Sequence, residues 1–501
     1  MNQNQDKQAI GQGNNERQAQ ANRREFLKTT AVVGMSAFVS TRSALAADSK
    51  SPAERLNVAC IGVGGKGDSD SNHVGMYANV VAICDVDDKI LAKKAEKYPK
   101  AEKFNDYRKM FDAMGKNFDA VTVSIPDHSH AAAAMMAIKA GKHVYCQKPL
   151  TRTIKEARTL RMAARENKVC TQMGNQGTAH PDLRHAADIL RAGALGPVKE
   201  VHLWTNRPIW PQAPGQITRP PEAPLPSTLH WDEWIGPAPM RPYAEYVTVD
   251  PKTQKETRKG AYHTFNWRGY WDFGTGALGD MGCHTANMPF MGLELGYPTS
   301  IEAKCGDLND ETYPGWATIV YHFPARGDKP AVKLTWWEGH RQDSRDSAKR
   351  NLPDVGVTKS FTMSESGSMI VGEKATMFSL HDYGANDKIV LNADSTGISL
   401  DVPKVIRPLP ELISQAGNAK RGYDNDEGQK AEWFAAIKAG TPSNAVSNFD
   451  YAGMLTEFLL LGNIAIKTGK KLDWNGEAMK FANNEAADAL IHREYRKGWT
   501  L

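Results

Sequence analysis

Short runs of apolar and β-branched residues alternate with helical stretches over residues 57–173. The apolar runs are Asn57–Ile61, Val80–Cys84, Ala120–Ser124, His143–Cys146 and Val169–Met173. Helical patterns between them include Lys89–Lys97 and His130–Ala140. Strands of this length that alternate with helices are typical of parallel strands joined by crossover helices. We therefore predict an α/β fold that begins with a doubly wound parallel sheet.

The second half of the chain contains further runs that read as strands, followed by two runs that read as helices. Lys333–Trp337, Ser368–Val371 and Ala375–Ser379 read as strands, and Glu432–Ala439 and Tyr451–Lys467 read as helices. We interpret the charged stretch from Glu338 to about Arg350 as a solvated loop. A chain of 501 residues accommodates two domains, and we place them at residues 55–176 and 177–501.

Composition and charge narrow the class of protein. The chain is 41% hydrophobic and 24% charged, with a formal net charge of +5, so a sizeable core can form. This weak charge excess does not indicate a nucleic-acid partner. The most apolar run, Phe458–Ile466, is too short to cross a bilayer and fits a buried helix, so we expect no integral membrane segment. The six cysteines form no metal-binding pattern and read as free core thiols.

Residues 1–46 have the pattern of an export signal. Arg23-Arg24 stands just before Phe26-Leu27-Lys28, and a short apolar stretch and Ala44-Leu45-Ala46 follow. This order resembles a twin-arginine signal, which directs proteins that are already folded. The alternative is a disordered tail with a chance arginine pair. We expect a periplasmic or otherwise exported protein that carries any dinucleotide tightly bound.

A glycine-rich turn follows the first predicted strand. Gly62, Gly64, Gly65 and Gly67 form a G-x-G-x-x-G pattern, and Asp85 ends the next strand. In this context the glycines allow a tight turn, close approach of a pyrophosphate and packing of the next helix on the sheet. The Asp85 carboxylate can accept hydrogen bonds from the adenosine ribose and would repel a 2′-phosphate. We therefore expect NAD as cofactor, with NADP less favoured.

Polar residues follow the later strands of the same domain, where the cleft of a doubly wound sheet opens. Ser124, Pro126, Asp127 and Gln147 are expected to border the cofactor. Gln176 and Asn175 follow the last strand, where we expect them to touch cofactor and substrate together. We interpret the nearby His130 as a locally packed residue. Lys148 precedes Pro149 and can direct its ammonium into the cleft; a solvated surface lysine is the equal alternative.

A second polar group stands on the predicted helix around residues 276–287. Asp280 and His284 are one helical turn apart, and Asn287 falls on the same face, just before Pro289. These three side chains suggest a site, although an Asp-x-x-x-His pair is as often a solvated salt bridge or half of a metal site.

Tryptophans are concentrated between Trp204 and Trp271. The six are Trp204, Trp210, Trp231, Trp234, Trp267 and Trp271. Indole rings stack on the C–H faces of pyranoses, and Arg207 could bind hydroxyl groups. We expect Trp204, Arg207, Trp210 and Trp267, together with Asn175 and Asn287, to contact a sugar or cyclitol, with burial as the equal alternative for any single tryptophan.

These motifs, in this order, resemble the Gfo/Idh/MocA oxidoreductases over roughly residues 55–500. The resemblance implies a Rossmann domain followed by an α/β domain with a large open, mostly antiparallel sheet. It also implies a catalytic set of Lys148, Asp280 and His284. We expect no metal site, because no further His/Asp cluster accompanies His284 at ligand spacing. The family usually has Glu-Lys-Pro where this chain has Gln147-Lys148-Pro149, so Gln147 cannot hold the lysine by charge. We further expect a homo-oligomer formed through the C-terminal sheet.

The sequence is compatible with three functions, and a fourth is weaker. An oxidoreductase would use His284 as base, Lys148 to stabilise alkoxide charge, and Asp280 to orient the substrate or His284. A glycoside hydrolase or lyase that retains NAD could use the same residues for transient oxidation and elimination. A non-catalytic sugar-binding protein is disfavoured by the intact catalytic set. A metal-dependent hydrolase is weaker still, because no further ligand cluster accompanies His284.

Overall fold

A six-stranded parallel sheet forms the first part of the folded chain in a computed structural model of the protein. The structure describes residues 55–340, 351–353, 364–384, 387–391, 398–407 and 425–501. The strands lie in the order β3-β2-β1-β4-β5-β6, which confirms the predicted doubly wound sheet. They are β1 (Asn57–Ile61), β2 (Asn79–Cys84), β3 (Glu102–Phe104), β4 (Ala120–Val123), β5 (His143–Cys146) and β6 (Thr171–Met173).

Helices connect these strands, and several begin at capping side chains that the sequence supplies. They are α1 (Lys66–Tyr77), α2 (Asp88–Lys97), α3 (Tyr107–Met114), α4 (Asp127–Lys139) and α5 (Ile154–Glu166). Asp87 caps α2, Asp106 caps α3, and Thr153 forms a reciprocal capping box with Glu156 at the start of α5. The edge strand β3 and the helix α3 were absent from the sequence prediction.

A nine-stranded mixed sheet forms the second part. Its order is β15-β14-β13-β7-β12-β11-β10-β16-β17. Only the β7–β12 pair is parallel among its described pairs, so the predicted large, mostly antiparallel sheet is confirmed. The strands are β7 (Val198–Trp204), β10 (Ser300–Cys305), β11 (Trp316–Phe323), β12 (Val332–Gly339), β13 (Gly367–Gly372), β14 (Ala375–Ser379), β15 (Asp387–Leu391), β16 (Leu472–Asn475) and β17 (Lys480–Phe481), with β8 (Glu245–Val249) and β9 (Glu256–Gly260) forming a separate ribbon.

Helices from the C-terminal half return to the first sheet. The later helices are α6 (Pro181–Arg191), α7 (Trp231–Ile235), α8 (Gly276–Thr285), α9 (Asn287–Gly292), α10 (Asn425–Ala439), α11 (Phe449–Thr468) and α12 (Glu485–Asp488). Gln429 of α10 accepts a hydrogen bond from Tyr145 of β5 at 2.7 Å and donates to the carbonyl of Met173 at 2.8 Å. Residues 57–501 accordingly form one compact unit. The domain boundary at residue 176 stays a prediction, and the proposed export signal at 1–46 lies outside the described residues.

The helix α11 is the one described segment with the length and hydropathy of a membrane span. Its mean hydropathy is 1.2, and 78% of its most apolar window is buried inside the protein. It packs against α5, and Phe458 stacks on Phe290 of α9 at 5.1 Å between ring centroids. It is therefore a core helix of this fold, since its apolar surface is already covered by protein.

Glu338 contradicts its predicted place in a solvated loop. It lies within β12 and is 1% exposed. Alternation along the strand places it on the same face as Leu334 and Trp336, which are both buried. The Trp336 indole N–H donates to the Glu338 carboxylate at 2.7 Å. Burial raises the pKa of Glu338 to about 7, and that hydrogen bond opposes the rise.

Candidate active site

A cavity of about 580 Å³ opens beside the carboxyl ends of β1 and β4. These two strands are neighbours at the centre of the sheet, where the strand order reverses direction. Crevices at such reversal points are where open α/β sheets bind ligands. The glycine loop and Asp85 line one part of the cavity, and Lys148 and Asp280 line another. The cavity thus connects the predicted cofactor loop with two of the predicted catalytic residues.

The glycine loop has the geometry that a bound dinucleotide requires. Gly62 has φ of 77°, and a Cβ there would lie 2.3 Å from the Ser124 carbonyl oxygen. A Cβ at Gly67 would lie 2.0 Å from the carbonyl oxygen of Gly62, so this position must also be glycine. Gly64 and Gly65 line the cavity just before α1 begins. The start of α1 therefore offers backbone N–H groups to an anionic group such as a diphosphate.

Asp85 lies at the end of β2 and supports the same loop. Its carboxylate accepts hydrogen bonds from the backbone N–H groups of Val63 at 2.9 Å and Asp87 at 3.0 Å. Burial raises the pKa of Asp85, and these two hydrogen bonds oppose the rise. The carboxylate lines the cavity, where it can meet the ribose hydroxyls of an adenosine. These residues fit an adenine dinucleotide.

Lys148 and Asp280 form an ion pair on the cavity wall. The Lys148 ammonium donates to the Oδ1 atom and to the backbone carbonyl of Asp280, each at 2.8 Å. The guanidinium of Arg268 also donates to Oδ1 of Asp280, at 3.2 Å. Burial alone would raise the pKa of Asp280, but the charges of Lys148 and Arg268 hold it well below its usual value. Asp280 therefore supplies the charge that fixes Lys148, a role that Gln147 cannot fill.

His284 lies one turn further along α8 and is 3% exposed. Its ring packs edge to face on Tyr383, with 4.8 Å between centroids, and its buried Nδ1 atom has no hydrogen-bond partner among the residues that the structure describes. Burial and the charge of Lys148 lower the pKa of His284 well below its usual value. Both effects favour the neutral form of the imidazole. His284 is not among the residues that line the cavity, and no direct hydrogen bond joins it to Asp280.

The segment after β4 lines the cavity through Ser124, Pro126 and Asp127. The Thr275 hydroxyl donates to the Asp127 carboxylate at 2.6 Å, and burial raises the pKa of Asp127. His130 packs locally: its ring nitrogens lie 2.8 Å from the Pro149 carbonyl oxygen and 2.6 Å from that of Ile125. These contacts join the segment after β4 to the one that carries Lys148.

A buried polar cluster below the glycine loop was not foreseen from the sequence. Asp70 of α1 and Lys430 of α10 are both fully buried and lie 2.6 Å apart. The same Asp70 carboxylate accepts hydrogen bonds from Ser124 at 2.7 Å, from Gln147 at 2.8 Å and from Lys66 at 2.9 Å. Asp426 completes the cluster through ion pairs with Lys66 and Lys430. No local pattern relates α1 to α10, because they are hundreds of residues apart.

Several residues predicted to contact substrate or cofactor lie elsewhere. Asn287 is fully buried and bonds to Thr178 and Tyr451, since α8 ends before it and α9 turns it inward. Asn175 is fully buried and accepts a hydrogen bond from Ser447 at 2.5 Å. Gln176 is half-buried and, like these two residues, does not line the cavity.

Most of the tryptophan-rich segment forms core rather than a sugar-binding wall. Trp204 is fully buried against Met369 and Phe378, and Trp210 is 1% exposed. Neither tryptophan lines the cavity, so their predicted substrate roles stay predictions that this packing does not support. A separate buried apolar cluster contains Trp231, Trp234, Tyr243, Ala244, Ala261, Tyr262, Trp267, Tyr270 and Phe273. Trp234 and Trp267 nevertheless reach the cavity from this cluster.

No group of three or more His, Cys, Asp or Glu side chains is placed to hold a metal ion within the described residues. All six cysteines fall in that part of the chain and are free thiols.

Two family descriptions match the chain. Residues 56–175 match the Gfo/Idh/MocA oxidoreductase family, NAD-binding Rossmann fold. Residues 209–329 match the C-terminal alpha/beta domain of the same oxidoreductase family. The first match contains the glycine loop, Asp85 and Lys148, and the second contains Asp280 and His284.

Individual relatives agree with these matches. Levoglucosan dehydrogenase of Pseudarthrobacter phenanthrenivorans is 26% identical over 114 residues, which are 23% of this chain and 29% of that protein. Inositol 2-dehydrogenase of Salmonella typhimurium is 28% identical over 149 residues, which are 28% of this chain and 44% of that protein. The matched segments thus span less than half of these curated relatives.

A solved structure extends the likeness of fold beyond those segments. Levoglucosan dehydrogenase in complex with NADH and L-sorbose superposes with a TM-score of 0.54 at 16% identity, over 83% of this chain and 98% of that one. At this identity the superposition shows the fold alone. The chain is therefore similar to the Gfo/Idh/MocA oxidoreductases in an NAD-binding Rossmann domain over residues 56–175 and in a C-terminal α/β domain over residues 209–329.

Proposed function

We propose that this protein is an exported, NAD-dependent oxidoreductase that moves hydride to or from a hydroxyl-bearing carbon of a sugar or cyclitol. The observation that carries the proposal is the Lys148–Asp280 pair, 2.8 Å apart, on the wall of the cavity that the glycine loop also lines. NAD, when bound, supplies the hydride acceptor or donor. The protein's own residues must bind the sugar, fix its hydroxyl group and take up or return the hydroxyl proton.

Lys148 is placed to hold the reacting oxygen. A lysine ammonium has three N–H donors, and two of those of Lys148 are taken by the carboxylate and the backbone carbonyl of Asp280. The third is available for a substrate hydroxyl oxygen. Negative charge develops on that oxygen during oxidation, and a fixed cation in a site with little water stabilises it. Asp280 acts by orienting Lys148 rather than His284.

His284 is the residue that we expect to accept the hydroxyl proton. A general base must be unprotonated at the working pH, and burial together with the charge of Lys148 lowers the pKa of His284. Tyr383 packs on the ring and restricts its orientation. His284 thus supplies a base on the helix whose Asp280 holds the Lys148 cation.

The substrate class and the handling of the cofactor are parts of the same proposal. The curated relatives include dehydrogenases named for levoglucosan and for inositol, an anhydrosugar and a cyclitol. We propose further that the Arg23-Arg24 signal exports the folded chain with NAD tightly bound, and that the chain forms a homo-oligomer through the C-terminal sheet. Export of a folded protein is compatible with a cofactor that stays in place.

Native mass spectrometry of the purified full-length protein tests cofactor retention. A mass increment of one NAD per chain that persists through gel filtration is the expected result. Protein that purifies without dinucleotide, and that gains no thermal stability on addition of NAD, would contradict the proposal.

Two substitutions test the assigned roles on the NAD-loaded enzyme. Lys148→Ala and His284→Ala are each expected to lower the turnover number about a hundredfold or more, the usual scale for a lost oxyanion donor or a lost base. Lys116→Ala and His322→Ala, which change the same residue types outside the cavity, serve as controls and should retain turnover. Retained turnover in His284→Ala would show that the base has been misassigned.

A further inference from the structure

The cavity that contains Asp85 is lined by residues from both halves of the chain. In a doubly wound sheet, an acidic residue at the end of the second strand meets the adenosine ribose of a dinucleotide, so the part of the cavity beside Asp85 is its adenosine end. Ile90 and Tyr107 line the cavity from the first half of the chain, and Glu233 and Trp499 line it from the second half. Residues outside the Rossmann domain thus belong to the cavity wall.

Residues 228–236, the covering segment, are attached to the loop that follows β2. The backbone N–H of Asp88 donates to the Thr228 carbonyl at 2.9 Å. The backbone N–H of His230 donates to the Val86 carbonyl, also at 2.9 Å. These two bonds flank an antiparallel bridge. The covering segment therefore begins directly beside the residue that is expected to meet the ribose.

The helix α7 lies within the covering segment and brings Glu233 and Trp234 to the cavity wall. Trp234 is 3% exposed and packs edge to face on Phe273, with 4.8 Å between ring centroids. Glu233 is half-buried, and its carboxylate forms no hydrogen bond or ion pair with any residue that the structure describes. A carboxylate accepts hydrogen bonds, and the ribose hydroxyls and the amino group of adenine can donate them. Glu233 is therefore available to an adenosine.

The C-terminal segment, residues 493–499, holds the covering segment through Arg496. The guanidinium of Arg496 donates to the Gly236 carbonyl at 3.0 Å. It also donates to the carboxylate of Asp232 at 2.6 Å and to the carbonyl of the same residue at 3.0 Å. These three bonds fasten both the first turn and the end of α7, so the position of Glu233 depends on Arg496.

Trp499 connects the C-terminal segment to the helix α3 of the first domain. Its ring is 7% exposed, and the guanidinium of Arg108 lies 4.0 Å from the ring centroid. The ring of Tyr107 packs edge to face on Trp499 at 5.9 Å between centroids, and both residues line the cavity. The C-terminal segment thus contacts α7 through Arg496 and α3 through Trp499, and it links the two sides of the adenosine end.

We propose that the adenosine half of NAD is bound between the Rossmann domain and a second wall, formed by the covering segment and the C-terminal segment, with Glu233 as a hydrogen-bond acceptor. This inference rests on the proposed oxidoreductase function and assigns cofactor-binding residues outside the Rossmann domain. A ligand enclosed from two sides dissociates slowly, because contacts with both walls have to break. The second wall accordingly supports retention of NAD by the folded chain.

Glu233→Gln and Glu233→Ala test the adenosine contact on full-length protein from which dinucleotide has been removed. Each should raise the dissociation constant of NAD about tenfold, because a hydrogen bond to a charged acceptor is lost or weakened. ADP-ribose, which has the adenosine end but no nicotinamide, should lose the same factor. Glu166→Gln, exposed at the end of α5, is the matched control and should bind both ligands like the wild type. Isothermal titration calorimetry gives the dissociation constants, and thermal unfolding separates loss of binding from loss of fold.

Arg496→Gln tests whether the C-terminal segment keeps the cofactor enclosed. The protein is loaded with NADH and mixed with excess NAD, and the loss of bound NADH fluorescence gives the dissociation rate. Arg496→Gln should raise this rate about tenfold or more, because three bonds to the covering segment are lost. Asp232→Asn removes only the exposed ion pair and should raise it about two- to fivefold. Arg165→Gln breaks a surface ion pair with Asp450 and, as the control, should leave the rate unchanged.

The outcomes distinguish this inference from the proposed function. Wild-type affinity and dissociation rate in the Glu233 and Arg496 variants would overturn the inference and leave the oxidoreductase intact. Weaker binding of NAD with unchanged binding of ADP-ribose would also overturn it, because Glu233 would then act at the nicotinamide end. A wild type that binds no dinucleotide would contradict both. Retention of NAD that depends on Glu233 and Arg496, without hydride transfer to or from any sugar or cyclitol, would contradict the oxidoreductase alone.

Discussion

Replacing Gln147 by glutamate would test the polar cluster below the glycine loop. The Gln147 amide donates to Oδ2 of Asp70 at 2.8 Å, and the Ser124 hydroxyl donates to the same oxygen at 2.7 Å. Lys66 and Lys430 form ion pairs with the other carboxylate oxygen, Oδ1. Gln147→Glu would exchange a hydrogen-bond donor for a second buried carboxylate that faces the first.

The expected loss of unfolding free energy in Gln147→Glu can be worked out from these contacts. The lost hydrogen bond to a charged acceptor is worth about 1.5–3 kcal/mol. Two carboxylates about 3 Å apart repel by roughly 5 kcal/mol at an effective dielectric constant of 20. The introduced carboxyl can avoid this repulsion by staying protonated, which costs at most about 4 kcal/mol at pH 7.5 for a group of ordinary pKa. We therefore expect Gln147→Glu to lose about 3–4 kcal/mol of the free energy of unfolding at pH 7.5.

The sign of the pH dependence distinguishes this cause from simple loss of a contact. The pKa of the introduced carboxyl would be raised in the folded protein. Such a group costs nothing below its unfolded pKa, and its cost grows as the pH rises toward the folded value. The difference in stability from the wild type should therefore be small near pH 5 and largest near pH 8. Gln147→Met removes the same hydrogen bond without a titratable group, so its loss should not vary with pH.

Chemical denaturation of the three proteins between pH 5 and pH 8 is the assay. The double variant Asp70→Asn/Gln147→Glu exchanges the carboxylate and the amide, and it should recover at least half of the loss and its pH dependence. If Gln147→Glu is as stable as the wild type at pH 8, or if its loss is equal at pH 5 and pH 8, the assigned charge interaction between positions 70 and 147 is wrong.

Three further predictions concern the cofactor, the second sheet and export. Asp85→Asn keeps an acceptor for the glycine loop but removes the charge, so the dissociation constant of NADP divided by that of NAD should fall about tenfold or more. An unchanged ratio would contradict the role of Asp85. Glu338→Gln should raise the free energy of unfolding by up to about 3 kcal/mol at pH 8 and by little at pH 5. The reason is that ionisation of the buried carboxyl costs stability as the pH rises from the usual pKa of a glutamate to the raised pKa of about 7. Equal effects at both pH values in chemical denaturation would refute this. Changing both Arg23 and Arg24 to Lys should leave the unprocessed precursor in the cytoplasm, and processing near Ala46 in cell fractions would rule out the twin-arginine route.

Local pattern alone was sufficient for the first sheet and the glycine loop. Two strands were predicted with their observed bounds, Asn57–Ile61 and His143–Cys146, because buried parallel strands are continuous apolar runs with clear ends. The G-x-G-x-x-G motif and Asp85 could also be recognised from residues that are close in the sequence. Of the four motif glycines and Asp85, all but Gly67 line the cavity. The strand β3 was missed because its three residues Glu102–Phe104 are mostly exposed and polar at the sheet edge.

Tertiary packing decided the partners of the polar groups. The sequence could place Lys148 and Asp280 on their elements, but only the fold puts them 2.8 Å apart. The pairing of Asp70 with Lys430 and the burial of Glu338 depend on segments with no sequence relation. Likewise, Trp204 and Trp210 have the composition of a sugar-binding wall and lie in the core. Short-range periodicity sets an element and its faces, whereas burial and charge pairing depend on which distant element covers each face, and that is decided by the packing of the whole chain.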